Sequence, residues 1–202
     1  MTERLERIPW NPLPPKVAAS HFADFPGWWA IAGGWALDLF IGEQSRHHDD
    51  TDIIVLRDDM AQLHDQVPGW ELFAADPPGT LRPWPRGETL PSPVHDIWCR
   101  PRSRTRWQLQ LMLNPSDGDE WVYRRDPAIR RPLTEVVLLR SGTPVLAPEI
   151  QLLYKSKAPR EKDERDLRTV LPHLDAGQRQ WLATVLAGQH PEHPWLTKLP
   201  AP

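Results

Sequence analysis

The sequence predicts an α/β (α+β) fold: a mixed β-sheet flanked by helices, followed by a small C-terminal helical bundle. Three observations carry that expectation. Apolar runs of strand length recur at residues 28–32, 50–56, 70–74, 94–100, 107–113 and 135–139. Segments of helical length and periodicity separate the first of these, as they do in layered α/β domains. From Pro148 to about residue 188 the pattern is helical alone.

Residues 1–15 hold Pro9, Pro12, Pro14 and Pro15 and are expected to form an extended lead-in. A helix over about 16–24 precedes the first strand, 28–32. Residues 35–41 (WALDLFI) fit a helix ended by Gly42, since glycine takes the left-handed conformation favoured at a helix C-terminus. Residues 50–56 form the second strand. Asp58 is a candidate N-cap for a helix to about Gln66, stopped by Pro68-Gly69. After the strand at 70–74, residues 76–93 carry Pro77, Pro78, Pro83, Pro85, Pro91 and Pro93 with Trp84, a long excursion between strands. Strand 107–113 follows strand 94–100 and alternates cleanly, with Trp107, Leu109, Leu111 and Leu113 opposite Gln108, Gln110 and Met112. A turn at 115–118 and a strand at 135–139 come next. Three helical segments close the chain: EIQLLYKSK, REKDERDLRTVL and DAGQRQWLATVLAG. The last opens with Asp175 as N-cap and Gln178 three residues on, and Trp181, Leu182, Val185 and Leu186 form its apolar stripe. The expected units are a lead-in 1–15, a sheet domain 16–147, a helical subdomain 148–190 and a tail 191–202. A ligand cleft is expected between sheet and bundle.

Composition excludes several functions. The 202 residues suffice for one domain with a real core. A net charge of −3 argues against a broad grip on nucleic acid. The pairs Arg124-Arg125 and Arg130-Arg131 read more readily as a solvated arginine surface than as a binding patch. The single cysteine, Cys99, excludes an internal disulfide and a cysteine zinc cluster, and in the run HDIWC it is expected to be a buried strand residue. The N-terminus (MTERLERIPW) is charged and no stretch of roughly 18 apolar residues occurs, so a cytoplasmic protein without membrane attachment is expected. Arginine outnumbers lysine nineteen to five, which hints at a GC-rich bacterial source. Most of the 11 tryptophans are expected to fill the core beneath long loops rather than to wall a ligand site.

The chemistry concentrates in GGWALDLFIGEQSRHHDDTDIIVL. Asp50 and Asp52 stand two residues apart on an expected strand, so both carboxylates point to one face. Two like charges side by side need a neutraliser. Hard oxygen donors suit Mg²⁺, which completes its shell with water and substrate phosphates. Gly33-Gly34 upstream let the backbone approach a phosphate closely. Together these features suggest nucleotide chemistry. A transition-metal hydrolase site at His47-His48-Asp49-Asp50 is disfavoured: adjacent histidines on a strand face opposite sides, and Gly33-Gly34 would go unexplained.

With Gly33, Gly34, Trp35, Ala36, Asp38, Gly42, Arg46, His48, Asp49, Asp50 and Asp52 in these positions, the segment resembles the nucleotidyltransferase superfamily. It is most similar to the aminoglycoside and lincosamide adenylyltransferase branch, which the fifteen residues between Gly34 and Asp50 suit. The resemblance is firm over about 28–60 and looser to about 170. It implies ATP or another NTP as donor, Mg²⁺ on Asp50 and Asp52, and backbone amides of Gly33 and Gly34 against the triphosphate. Arg46 and His48 would touch phosphates or brace the carboxylates. Tyr154-Lys155, then Lys162-Asp163 and Asp166, resemble a pattern of antibiotic and phage-defence nucleotidyltransferases, in which Lys155 or Lys162 would reach the triphosphate and Asp163 would orient one of them. By composition alone the same helix reads as a solvated face with pairs such as Lys162–Asp166. The implied reaction moves AMP to a hydroxyl of a small molecule, an aminoglycoside-like compound first. Such a polycation calls for acidic walls, with Asp117, Asp119 and Glu120 as candidates.

One position departs from the family pattern. The superfamily's third carboxylate aligns with Gln110, which cannot take a proton near neutral pH. Three readings stay open. Another acid substitutes, either Asp96 or Asp119/Glu120. The metals alone activate the hydroxyl. Or the protein is a degenerate, nucleotide-binding or toxin-like member with a macromolecular target. The enzyme reading is preferred, because a chain freed from catalysis has less reason to keep both Asp50 and Asp52.

Overall fold

The computed structural model describes residues 5–199. After a 3₁₀ turn at Leu5–Arg7, helix α1 (Pro15–His21) starts on a proline, whose fixed φ suits the first helical position. Strand β1 (Trp29–Ala32) runs directly into helix α2 (Gly33–Ile41), and Gly42 ends α2 with φ 92°. Strand β2 (Asp52–Leu56) begins two residues later than the sequence pattern suggested, so Asp50 lies in the loop before it. Asp58 is not a helix cap. Residues Arg57–Gln62 are a 3₁₀ helix entered from Leu56 without a side-chain cap, and helix α3 (Leu63–Gln66) is a single turn.

Strand β4 (Leu81–Pro83), inside the proline-rich excursion, pairs back on strand β3 (Trp70–Ala75), so that segment is anchored rather than loose. Trp84 is buried there, and Arg82 bonds Asp76 at 2.8 Å and Glu88 at 2.6 Å. Strands β5 (Asp96–Pro101) and β6 (Leu109–Asn114) follow. The expected turn at 115–118 is instead part of a three-stranded sheet of β7 (Ser116–Asp117), β8 (Glu120–Val122) and β9 (Arg130–Pro132). Residues Leu133–Glu135 are a 3₁₀ turn, which moves the next strand to β10 (Val137–Arg140). Strand β11 (Thr143–Leu146) is one the sequence pattern did not show.

The main sheet has eight strands in the order β10-β11-β1-β2-β6-β5-β3-β4. The β1–β11 and β2–β6 pairs are parallel and the others antiparallel. Ile53 and Val55 of β2 pack with Phe22, Leu63 and Leu111 on one face. Ala30, Ala32 and Ile54 pack on the other face, against α2 and the helices α4 (Pro148–Ser156), α5 (Glu161–Val170) and α6 (Ala176–Gln189). Helix α6 keeps its capping box, with Gln178 N donating to Asp175 Oδ1 at 2.8 Å. Trp107, Trp121 and Trp195 are fully buried core residues. Among the described residues no helix is long and apolar enough to cross a membrane.

The register decides what faces the helical side. Asp52 pairs with Gln110, Ile54 with Met112 and Leu56 with Asn114 across the parallel β2–β6 ladder. Side chains alternate along a strand, so these residues share one face, and that face borders α4.

Candidate active site

A cavity of about 340 Å³ opens between this sheet face and the helices, and it contains Asp50, Asp52, Gly33 and Gly34. The glycine pair is required by crowding. Gly33 has φ +67°, and a Cβ there would overlap the Asp52 carboxylate. A Cβ on Gly34 would overlap the His48 ring and come within 2.8 Å of the Arg46 guanidinium. The Gly33 amide donates to Gln151 Oε1 at 2.7 Å, so it already has a protein partner. This differs from the expectation that both glycine amides face a phosphate; Gly34 is the one left for that role.

Burial pushes the Asp52 carboxyl up to about 8, the neighbouring Asp50 charge adds to the rise, and Lys155 opposes it. Asp96 raises it further and Lys162 lowers it. A crowded carboxylate of this kind binds a cation readily. Asp50 and Asp52 fit Mg²⁺ in donor type, while no group of three or more His, Cys, Asp or Glu side chains is arranged for a metal among the described residues. Water and substrate oxygens would complete the shell, as is usual for this ion.

An ionic network frames the cavity, with Arg46, Lys155, Asp163 and Asp166 nearly solvent-free and Arg160 exposed at its edge. Arg46 binds Asp166 through two nitrogens, at 2.7 and 2.9 Å. Lys155 Nζ lies 3.0 Å from Asp163 and 2.9 Å from Asp166. Asp163 also accepts from the Arg160 backbone and side chain, at 3.0 and 2.8 Å. Burial alone would raise Asp163 and Asp166, but the Arg160 and Arg46 hydrogen bonds and the Lys155 charge hold both below the usual carboxylate value. The expected Lys162–Asp166 pair does not form. Asp166 turns to Arg46 and Lys155, and Lys162 lines the cavity without a carboxylate partner among the described residues.

His48 stands apart from the cavity. It is buried, bonds Asp38 at 2.5 Å and lies against the Trp35 ring at 4.5 Å. Ser45 also donates to Asp38, at 2.6 Å. His48 therefore braces the loop carrying Asp50 and is not placed to touch a phosphate. Gln110 sits beside Asp52 in register, and its amide donates to Asp96 Oδ1 at 3.2 Å. Asp96 pairs with Met112 on β6, two strands from Asp52, with His95 3.3 Å away. Asp117 and Glu120 bond Arg130 on the surface and Asp119 is exposed, so this turn is not an acidic wall of the cavity.

Arg124 and Arg125, Asn114, Tyr154 and Gln151 also line the cavity. The sequence showed the arginine pair but not its surroundings, and the only local signal was its position behind the apolar Trp121-Val122-Tyr123.

The fold decides the comparison with known proteins. The protein shares its fold with the lincosamide antibiotic adenylyltransferase LnuA, solved with lincomycin, at TM-score 0.54 and 16% identity over 79% of this chain and 98% of that one. It matches ANT(2″)-Ia in complex with adenylyl-2″-tobramycin at TM-score 0.54 and 15% identity, over 87% and 97% of the two chains.

This is a nucleotidyltransferase fold.

A solution structure of ANT(2″)-Ia agrees at TM-score 0.54 and 16% identity, over 85% of this chain and 88% of that one. Residues 18–68 match the family described as aminoglycoside-2″-adenylyltransferase. That match contains Gly33, Gly34, Asp50 and Asp52 and bears out the resemblance read from the sequence. No curated protein sequence matches the chain.

The shift at Asp52 has a definite sign. Its folded-state value is above its ordinary value of 3.8, so folding takes up a proton between about pH 4 and pH 8, and stability falls as pH rises through that window. Without divalent cations, Asp52→Asn is expected to match wild type near pH 4 and to be the more stable protein at pH 8. Urea midpoints at the two pH values read this directly, and a variant no more stable than wild type at pH 8 would contradict it.

Proposed function

We propose that the protein is a Mg²⁺-dependent nucleotidyltransferase that moves a nucleoside monophosphate, AMP in the first instance, from an NTP to a hydroxyl of a small molecule. The convergence of Asp50, Asp52, Gly34 and the unpaired Lys162 in one cavity carries this reading. It is supported by the match over residues 18–68 and by structural neighbours whose ligands are lincomycin and an adenylylated tobramycin.

Asp50 and Asp52 would hold Mg²⁺. When bound, the ion would neutralise phosphate oxygens and acidify the attacking hydroxyl. Lys162 contacts the triphosphate from α5. Lys155 is held at the cavity wall by Asp163 and Asp166 and adds a fixed positive charge near Asp52. Arg46, clamped to Asp166, positions the loop that carries Asp50. The acceptor hydroxyl attacks the α-phosphorus, forming a new O–P bond as the bond to pyrophosphate breaks. We assign its proton to Asp96, which lies beside the cavity, two strands from Asp52 but close enough for its charge to act on that carboxylate, and which Gln110 holds from the neighbouring strand.

One observation favours a second reading, a nucleotide binder without transferase activity: Gln110 stands where the superfamily's third acid is expected.

Calorimetric titration of α,β-methylene-ATP with Mg²⁺ tests the site. Wild type is expected to bind, with affinity at least about tenfold weaker in Asp50→Ala/Asp52→Ala, a loss of about 1.4 kcal/mol or more. Absence of binding to wild type would overturn the proposal. With an acceptor that supports turnover, Asp96→Asn is expected to lower kcat by roughly 10²–10⁴-fold and to leave nucleotide affinity within about twofold. An unchanged kcat would remove Asp96 from the mechanism.

A further inference from the structure

The cations of the cavity fall into two sets. Arg46, Lys155 and Arg160 are bonded to Asp163 or Asp166 at 2.7–3.0 Å. Arg124, Arg125, Lys157 and Lys162 line the same cavity and form no ion pair with a carboxylate among the described residues. Lys162 belongs to the Asp52 end, since its charge is among those acting on that carboxylate.

The arginine pair belongs to another wall. Arg124 and Arg125 follow β8, and their guanidinium carbons lie 5.8 and 5.6 Å from the centre of the Tyr154 ring. Arg125 donates to the Tyr154 carbonyl at 2.7 Å, and the Tyr154 hydroxyl donates to Asn114 Oδ1 at 2.6 Å. Asn114 lies four residues along β6 from the Asp52–Gln110 pair, which is about 13 Å at strand spacing. The ring that the two arginines flank is thereby tied, through its hydroxyl, to the end of β6 away from Gln110. Burial, and then the adjacent Arg125, push Arg124 below the ordinary guanidinium value. It is a partly desolvated cation that forms no ion pair among the described residues, and Asp96 is the one carboxylate whose charge acts on it.

We infer that Arg124 and Arg125, stacked on Tyr154, form an anion subsite that takes a phosphate group of the acceptor. The acceptor is then a phosphorylated compound with a free hydroxyl, not a polycation. This deepens the transferase reading and rests on it. Guanidinium forks match phosphate oxygens two at a time, and a neighbouring aromatic face helps to hold them. A polycationic acceptor would instead meet four unpaired positive side chains. The carboxylates lining the cavity are Asp50, Asp52 and Asp163, of which Asp163 is already held by Lys155 and Arg160.

The test uses the full chain saturated with Mg²⁺ and α,β-methylene-ATP, into which inorganic phosphate and, separately, tobramycin are titrated by calorimetry. Phosphate is expected to bind loaded wild type and to bind Arg124→Gln/Arg125→Gln about tenfold or more weakly. The same variant is expected to hold the nucleotide analogue within about twofold of wild type. Arg124→Lys/Arg125→Lys, which keeps the charges but not the forks, is expected to bind phosphate more tightly than the glutamine variant and less tightly than wild type, and guards against a folding defect. Failure of phosphate to bind, binding of tobramycin in its place, or equal loss of analogue and phosphate in the glutamine variant would each overturn the subsite. Failure of the analogue to bind wild type would instead sink the transferase reading, and phosphate titration of the unloaded protein then reads the arginine pair alone.

Discussion

The site depends on one buried interaction, the Asp166 carboxylate held between Arg46 and Lys155. Arg46 comes from the loop after α2, Lys155 from α4 and Asp166 from α5, and their side chains are no more than 9% exposed. Burying charges of this kind is costly, and such a group is tolerated when every partner is matched; losing one partner typically costs about 3–5 kcal/mol. Asp163 extends the same chain of alternating charge to Arg160. The network thus fastens the loop carrying Asp50 to the helices that carry Lys155 and Lys162. Without it, the hydrogen bonds from Gly33 to Gln151 and from Tyr154 to Asn114 would be left, with apolar packing, to set the spacing of the two halves of the cavity.

Crowding is the second constraint. The Asp52 carboxylate and the His48 ring occupy the space that side chains at positions 33 and 34 would need. The glycines therefore serve packing first, and any contact with phosphate uses what is left. Gln151 illustrates this by accepting the Gly33 amide from α4, which again ties the helical part of the chain to the strand end that carries the carboxylates.

Features set by neighbours in sequence were legible. Gly42 ends α2, the Asp175–Gln178 box opens α6, and the alternation of Leu109, Leu111 and Leu113 marks a strand with one buried face. Gly33-Gly34 and Asp50/Asp52 were legible too, because their chemistry needs particular residue types at short spacing. Long-range pairing was not. Asp166 was expected to bond Lys162, four residues away, and instead bonds Arg46, 120 residues away, because burial rewards the partner that tertiary structure delivers. Strand β11 is short and was hidden by proline, and its parallel pairing with β1 has no local signature. Arg124 and Arg125 looked like a surface pair until β8, β9 and Tyr154 gave them a wall to stand on.

The most direct test of the site is a crystal structure with Mn²⁺ in place of Mg²⁺ and bound α,β-methylene-ATP, with the metal located by anomalous scattering. The account predicts a manganese peak in contact with both Asp50 and Asp52 and with a phosphate oxygen of the analogue, and Lys162 against the triphosphate. Manganese and nucleotide lodged elsewhere, with Asp50 and Asp52 making no metal contact, would contradict it.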